Sequence, residues 1–340
     1  IIDEMSMVDM YLFELLLGSI NQTKHIIFVG DQDQLPSVGA GNVFADLITS
    51  GIIPTTKLQH VHRQSGDSSI IELAHQINHG QTTEVFTKTQ NSSFIEAAGS
   101  QIESVVRQVV DFALAKGFAK SDVQILGSMY KSASGVDHLN QVLQNQLNPK
   151  SAKRQKEIVN NDVSYRISDR VLQLTNNPEK DIYNGQIGQI TALDPKHPDK
   201  MMTVDFDGHQ VTLAKNELKD ITLAYAITIH KSQGSEFPLV ILSLTMQNSR
   251  MLRRNLLYTA VTRAQKSLVM VGERRAFEKA ISTPGNDRQT KLAARILQLL
   301  KPVEPAAETP TEPQNFYLTR DLIINNEIDP MIGMEEVKFG

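Results

Sequence analysis

At 340 residues the chain has room for two or three domains with cores of their own. Its 40% hydrophobic and 21% charged residues are ordinary for a soluble globular protein; no run nears the ~18 apolar residues of a membrane span, and no basic-then-apolar leader opens the chain. With no cysteine, disulfides and thiolate metal sites are excluded, and a formal charge of −4 removes the basic footprint of a protein that coats nucleic acid by charge alone. A motor that grips one strand in a narrow groove stays open.

The first residues, Ile1-Ile2-Asp3-Glu4, read as the tail of an apolar strand ending in acids; without an initiator Met they suggest a piece of a longer protein. Acids at the carboxyl end of a parallel strand sit where α/β sheets bind phosphates, although a solvated Asp-Glu would look the same. Residues 10–20 read as a helix with an apolar stripe, and Lys24 to Val29 as a buried strand. It ends in Gly30-Asp31-Gln32-Asp33-Gln34-Leu35-Pro36, with Gly39 and Gly41 keeping the backbone open beyond it. Turn chemistry explains the Gly and Pro of that loop but not Gln34-Leu35.

Leu58 to Gln64 holds His60, His62 and Arg63. With no third ligand nearby, metal binding by the His-x-His pair is the weaker reading, and Arg63 is the candidate for the chemistry. An amphipathic helix over 68–80 follows. Phe94 to Ala97 is a short strand, 101–116 a helix, Asp122 to Leu126 a strand, and Gly135 opens a helix through Leu147. The strand–loop–helix around 127–136 can hold a phosphate on backbone N–H groups or be an ordinary connection. Lys150 to Lys156 is the strongest basic cluster, either a solvated loop or one facing DNA.

From 165 to 221 the texture changes to short strands between turns: Arg170 to Leu174, Gln186 to Leu193, Met201 to Phe206 and Gln210 to Leu213, with Asn184-Gly185 and Asp207-Gly208 as hairpin signals. A small barrel inserted into an α/β domain fits them. Tyr225 to His230 then reads as a strand breaking at Gly234, with Glu236 two residues on. Leu239 to Leu244 is a buried strand, and a helix follows that carries Tyr258, Thr262 and Arg263. Ser267 to Gly272 is another strand and 287–300 a helix. Four prolines between Pro302 and Pro313 make a linker to a short apolar tail.

Five segments in one order carry a resemblance: Asp3-Glu4, Gly30 to Pro36, His62-Arg63-Gln64, Thr228 to Glu236, and Tyr258 to Arg263. They resemble motifs II to VI of superfamily 1 helicases. Val29 to Gly39, Gly135 to Pro149, and Ser168 to Val171 with Tyr183-Asn184-Gly185 narrow this to the RecD-like DNA helicases, the exodeoxyribonuclease V alpha-subunit type.

The resemblance implies an α/β fold of RecA-like motor domains, one partial and one complete, with an inserted SH3-like β-barrel. The expected boundaries are 1–88 for the first motor domain, 89–164 and 222–301 for the second, 165–221 for the barrel, and 302–340 for linker and tail. ATP and Mg²⁺ are the implied cofactors. Asp3 would hold the metal and Glu4 act as base, with Gln34, Arg63, Gly234 and Arg263 at the terminal phosphate and Glu236 at the ribose. Thr228 and His230 would touch DNA phosphates.

The implied activity is ATP-driven movement, 5′ to 3′, on single-stranded DNA and duplex junctions, in recombination and repair in the bacterial cytoplasm, with a protein partner for the tail. A superfamily 1 RNA helicase and a non-enzymatic DNA clamp are the alternatives. One departure stands out: no Gly-x-x-x-x-Gly-Lys-[Ser/Thr] occurs in the 340 residues, so the chain alone is expected to be inactive.

Overall fold

The computed structural model describes residues 1–58, 69–82, 85–132, 134–150, 157–285 and 288–300. The chain divides into two compact units, residues 1–293 and 294–340; of the second, only the end of the last helix is described.

The first unit opens on a short parallel bridge. Ile2 N–H donates to Ile27 O and Val29 N–H to Ile2 O, both at 2.8 Å. Helix α1 (Met10–Ser19) is capped by Asp9, whose carboxylate accepts from Leu12 N at 2.8 Å, an arrangement worth about 1 kcal/mol. Helices α2 (Val43–Thr49) and α3 (Ser69–Asn78) follow.

Next come β1 (Ser92–Glu96), α4 (Ile102–Ala115), β2 (Val123–Gly127) and α5 (Val136–Leu147). Then the chain turns to short strands: β3 (Glu157–Asn160), β4 (Val163–Arg166), β5 (Arg170–Gln173), β6 (Ile187–Leu193), β7 (Met202–Phe206), β8 (His209–Leu213) and β9 (Ile221–Leu223). It returns to α/β texture with β10 (Ala226–Thr228), β11 (Phe237–Leu244), α6 (Arg254–Val261), β12 (Ala264–Gly272), α7 (Arg274–Ser282) and α8 (Leu292–Leu300).

β1, β12, β11, β2 and β10, in that order, form a parallel sheet. A parallel sheet has both faces covered, so its central strand β11 reads as a near-continuous apolar run rather than alternating. β11 shows the division of labour. Leu239 and Ile241 enter a core with α4 and α5 (Ile102, Val106, Leu139, Leu143), while Val240 and Leu242 enter a second core with α6 and α7. The expected boundary at 88 would set α3 apart from this sheet, yet its Ile70, Leu73, Ala74 and Ile77 lie in that second core.

β8, β7, β6, β5 and β9 make the antiparallel sheet of the barrel. Its core residues Val171, Ile190, Val204 and Leu213 are continuous with the core under α4 and α5, so the barrel is built onto the sheet domain rather than hung from it. Asp169, fully buried, joins the two. Its Oδ1 accepts from Asn148 Nδ2 at 2.7 Å and Tyr225 OH at 2.8 Å; its Oδ2 accepts from Gln144 Nε2 at 2.6 Å and Arg166 N at 2.7 Å. Burial pushes the carboxyl pKa up and these bonds pull it back.

Several sequence expectations need correction. Lys24 to Val29 is not a buried strand: Ile27 is 55% exposed, and the segment pairs only at the Ile2–Phe28 bridge among the described residues. α1 buries Phe13 alone and leaves Tyr11, Leu12, Leu15 and Leu17 exposed. The strand expected over Tyr225 to His230 stops at Thr228, because Thr228 Oγ1 accepts from Lys231 N at 3.4 Å and starts a 3₁₀ turn over Ile229–Ser232.

Asp207-Gly208 is the β7–β8 turn, with φ of 51° and 91°. Asn184-Gly185 is not a two-residue hairpin; it ends the connection 174–186, where Gly185 N donates to Gln173 O at 2.9 Å. The expected 287–300 helix starts only at Leu292. The linker and tail lie outside the described residues, and no helix among those described is long and apolar enough to cross a membrane.

Candidate functional site

The Asp3-Glu4 turn and the Gly30–Pro36 loop are neighbours through the Ile2–Phe28 bridge and a bond from Met5 N to Val29 O at 3.0 Å. Gly30 permits this closeness: a Cβ there would stand 3.1 Å from Met5 N. Asp3 is exposed and its Oδ1 accepts from Glu4 N at 2.7 Å. Glu4 adopts φ 54°, ψ 39°. A left-handed backbone at a non-glycine residue costs roughly 1–2 kcal/mol, and strain of this kind gathers at functional positions.

Beyond Gly30 the loop folds around Asp31. Its Oδ1 accepts from Asp33 N at 3.0 Å, and its Oδ2 from Gln34 Nε2 at 3.4 Å and from Tyr258 OH at 2.9 Å. Burial, then the Asp31 carboxylate, push the Tyr258 hydroxyl pKa upward, so it stays a donor. Leu35 N donates to Thr259 Oγ1 at 2.8 Å, and Gln233 Nε2 donates to Leu35 O at 2.9 Å. Two successive residues of α6 therefore clasp the loop. Gln34 Oε1 is buried with no hydrogen-bond partner among the described residues.

Thr262 caps α6, so Arg263 sits just past the helix rather than on it. Only 4% exposed, its guanidinium donates from Nε to Thr259 O at 3.1 Å, from Nη1 to Ser235 O at 3.0 Å and from Nη2 to Thr262 Oγ1 at 3.2 Å. That fixes Arg263 against the Gly234–Glu236 turn. Gly234, at φ 74°, has open space where a Cβ would be, and Glu236 Oε2 accepts from Gln265 Nε2 at 3.3 Å. Glu4, Gln34, Gly234, Glu236 and Arg263 thus lie on connected elements.

Thr228 and His230 belong to a different corner, the end of β10. Burial lowers the His230 pKa, so its ring is neutral near pH 7 and would meet a phosphate as a hydrogen-bond donor, not as a charge. Lys231 Nζ donates to Asn184 Oδ1 at 2.7 Å, joining this turn to the barrel. Arg63, His60 and His62 lie outside the described residues. Of the basic cluster only Lys150 is described, and its ammonium contacts Glu157 at 2.6 Å.

Sequence reasoning gave no role to Asp31, Tyr258, Thr259 or Gln233, and missed Arg288 and Thr290. Arg288 Nη1 donates to Gly41 O at 2.8 Å and to Gly39 O, and its Nη2 to Ser37 O at 2.5 Å; Thr290 Oγ1 donates to Asp46 Oδ1 at 2.6 Å. Gly39 and Gly41 keep that loop tight: Cβ atoms there would run into Asp9 and Met10, and Gly41 has φ 105°. A cavity of about 360 Å³ lies between Ser6, Gln34, Asn78 and Arg254. Glu4, Gly234, Glu236 and Arg263 do not line it.

The donor set suits a nucleotide with a hard cation. Asp3, exposed, has one carboxylate oxygen beyond the bond from Glu4 N to offer to Mg²⁺, and a second carboxylate follows. The buried Gln34 amide oxygen has no partner among the described residues, and the Arg263 guanidinium is held on an element connected to theirs. Backbone N–H groups of a phosphate loop are the part this sequence lacks.

Family profiles match in three places: an AAA domain over residues 1–100, the ATP-dependent RecD-like DNA helicase SH3 domain over 139–206, and the UvrD-like helicase C-terminal domain over 223–271. The chain is 36% identical over 298 residues to the ATP-dependent RecD2 DNA helicase of Deinococcus radiodurans, a match covering 87% of this chain and 39% of that protein. It is 30% identical over 323 residues to the RecBCD enzyme subunit RecD of Mycolicibacterium smegmatis, covering 89% and 54%. It therefore spans about half the length, or less, of these relatives. Among solved structures, Pif1 helicase from Bacteroides with ADP-AlF3 and ssDNA aligns at TM-score 0.48 and 20% identity, covering 83% of this chain and 72% of that one.

Proposed function

The chain belongs to the RecD-like helicases, and we propose that it forms part of one motor lobe and the whole of a second in an ATP-driven motor on single-stranded DNA. The observation that carries this reading is the clasp of the Gly30–Pro36 loop by Tyr258 and Thr259 of α6. It ties the elements bearing Glu4 and Gln34 to the helix that precedes Arg263.

In this reading Asp3 holds Mg²⁺, which supplies charge neutralisation to the phosphates when bound. Glu4 takes a proton from the attacking water, and Gln34 stands at the terminal phosphate. Arg263, set by Thr259 O and Ser235 O, faces the charge that develops on the transferred phosphoryl group. Gly234 lets backbone approach the phosphates, and Glu236 meets the ribose. Arg63 is assigned a second contact to the terminal phosphate on the resemblance alone. Thr228 and His230 meet DNA phosphates, and the Lys231–Asn184 bond couples that turn to a barrel that binds the strand. Movement is 5′ to 3′, in bacterial recombination and repair.

The cradle for the β- and γ-phosphates comes from sequence outside these 340 residues, so the chain by itself does not turn over ATP. The test is DNA-stimulated ATPase of the full-length protein and of residues 1–340. Glu4→Gln in the full-length protein should abolish turnover while ATP binding persists, since an amide fits the site but takes no proton. Turnover within a few-fold of the unsubstituted protein would remove Glu4 from the chemistry; DNA-dependent turnover by residues 1–340 would show that the cradle is here.

A further inference from the structure

Gln34 has one amide and two different neighbours to satisfy. Its Nε2 faces Asp31 Oδ2 at 3.4 Å while Oε1 is buried without a partner among the described residues. The opposite orientation would set the amide oxygen against a carboxylate oxygen, two acceptors with no proton between them. Asp31 therefore decides which way the amide points. Tyr258 in turn holds Asp31, through a 2.9 Å bond to the same Oδ2. Asp31 and Tyr258 are 227 residues apart, so this arrangement exists only when α6 is seated on the loop.

The oxygen end of the amide, buried and without a partner among the described residues, is then chemically selective. A buried carbonyl oxygen with no donor costs about 1–3 kcal/mol, and that cost is relieved by a group bringing a proton. A phosphate oxygen is an acceptor and gains nothing there; a water molecule can donate. Resting on the ATP-hydrolysing reading above, we propose that Asp31 and Tyr258 are positioning residues that lock Gln34 with Oε1 as the acceptor for the hydrolytic water. The lock is made by the helix that precedes Arg263, so water and guanidinium are set in one step.

The experiment uses the full-length protein at saturating single-stranded DNA, with kcat and KM for ATP measured for Tyr258→Phe, Asp31→Asn and Gln34→Ala, singly and combined. Tyr258→Phe removes one oxygen and keeps the ring; Asp31→Asn lets the Gln34 amide turn. Each should lower kcat roughly tenfold to a hundredfold, the scale of a small misplacement, with KM within about twofold. In the Gln34→Ala background neither should slow turnover further, because both act through that amide. A merely structural clasp would give additive losses there, and that result overturns the inference. So does a Tyr258→Phe protein with kcat within about twofold of the unsubstituted one. If Asp31→Asn fails to fold, Tyr258→Phe alone decides. An unsubstituted full-length protein with no DNA-stimulated ATPase would refute the motor reading itself, a separate outcome.

Discussion

Replacing Asp169 with Ala tests how the barrel is joined to the sheet domain. The carboxylate accepts four hydrogen bonds, two per oxygen, at full burial. Two of the donors have a second acceptor: Gln144 Nε2 keeps Ser164 O at 2.7 Å and Asn148 Nδ2 keeps Ile167 O at 3.0 Å. The Tyr225 hydroxyl and the Arg166 N–H would be stranded. Each stranded donor costs about 1–3 kcal/mol, partly offset because a charge no longer has to be buried, so the expected loss is about 3 kcal/mol.

Asp169→Asn should cost less, about 1 kcal/mol. With its NH₂ at the Oδ1 position it can donate to the Tyr225 oxygen, while its own oxygen still accepts from Gln144 and Arg166. The chain has no Trp and seven Tyr, so tyrosine fluorescence follows unfolding, with Tyr165 and Tyr225 among the buried emitters. Equilibrium urea unfolding of residues 1–340 gives both values. An Ala variant losing under about 1 kcal/mol, or an Asn variant as costly as Ala, would refute the accounting.

Two other outcomes are expected. Arg263→Lys in the full-length protein should lose turnover on the ~10³ scale of an in-cis arginine finger, because one ammonium cannot span Thr259 O and Ser235 O as Nε and Nη1 do; single-turnover ATPase measures it, and a loss under about tenfold counts against the role. For His230, burial puts the folded pKa below its ordinary 6.5, so below that pH the unfolded chain binds the extra proton and stability falls as pH drops. His230→Gln should remove that component, so melting midpoints from about pH 7.5 to about 5.5 should diverge only on the acid side; curves that stay parallel would show an unburied imidazole.

How far the sequence was legible depended on the range of the forces involved. β2, β11 and the Leu268–Val271 part of β12 are largely apolar runs whose burial follows from composition, and Asp207-Gly208 has the residues its left-handed turn requires. The β3–β4 hairpin went unread because its turn is Asn161-Asp162, at φ 49° and 65°, with no glycine to mark it. Lys24 to Val29 has the apolar content of a buried strand, but burial needs partners, and content cannot supply them. Glu4, Gln34 and Arg263 were legible as motif members. Asp31–Tyr258, Leu35–Thr259 and the Arg288 contacts join residues more than two hundred positions apart, beyond any local pattern. The signature segments around Asn148 and Asp169 were read as family marks; in the structure they are one buried junction.

Arg288 also sets a reach. It holds the 37–41 loop, while α7, whose Ala276, Phe277, Ala280 and Ile281 lie in the second core, ends at Ser282. The covalent path from Ser282 to Arg288 is six residues. At roughly 3.3–3.6 Å per extended residue it spans no more than about 22 Å. While the guanidinium keeps its carbonyls, the loop beside Gln34 cannot travel farther from the end of α7 than that path plus the length of the Arg288 side chain, whatever drives the two apart. Any wider separation has to release Arg288 first, surrendering its bonds to Ser37, Gly39 and Gly41 together.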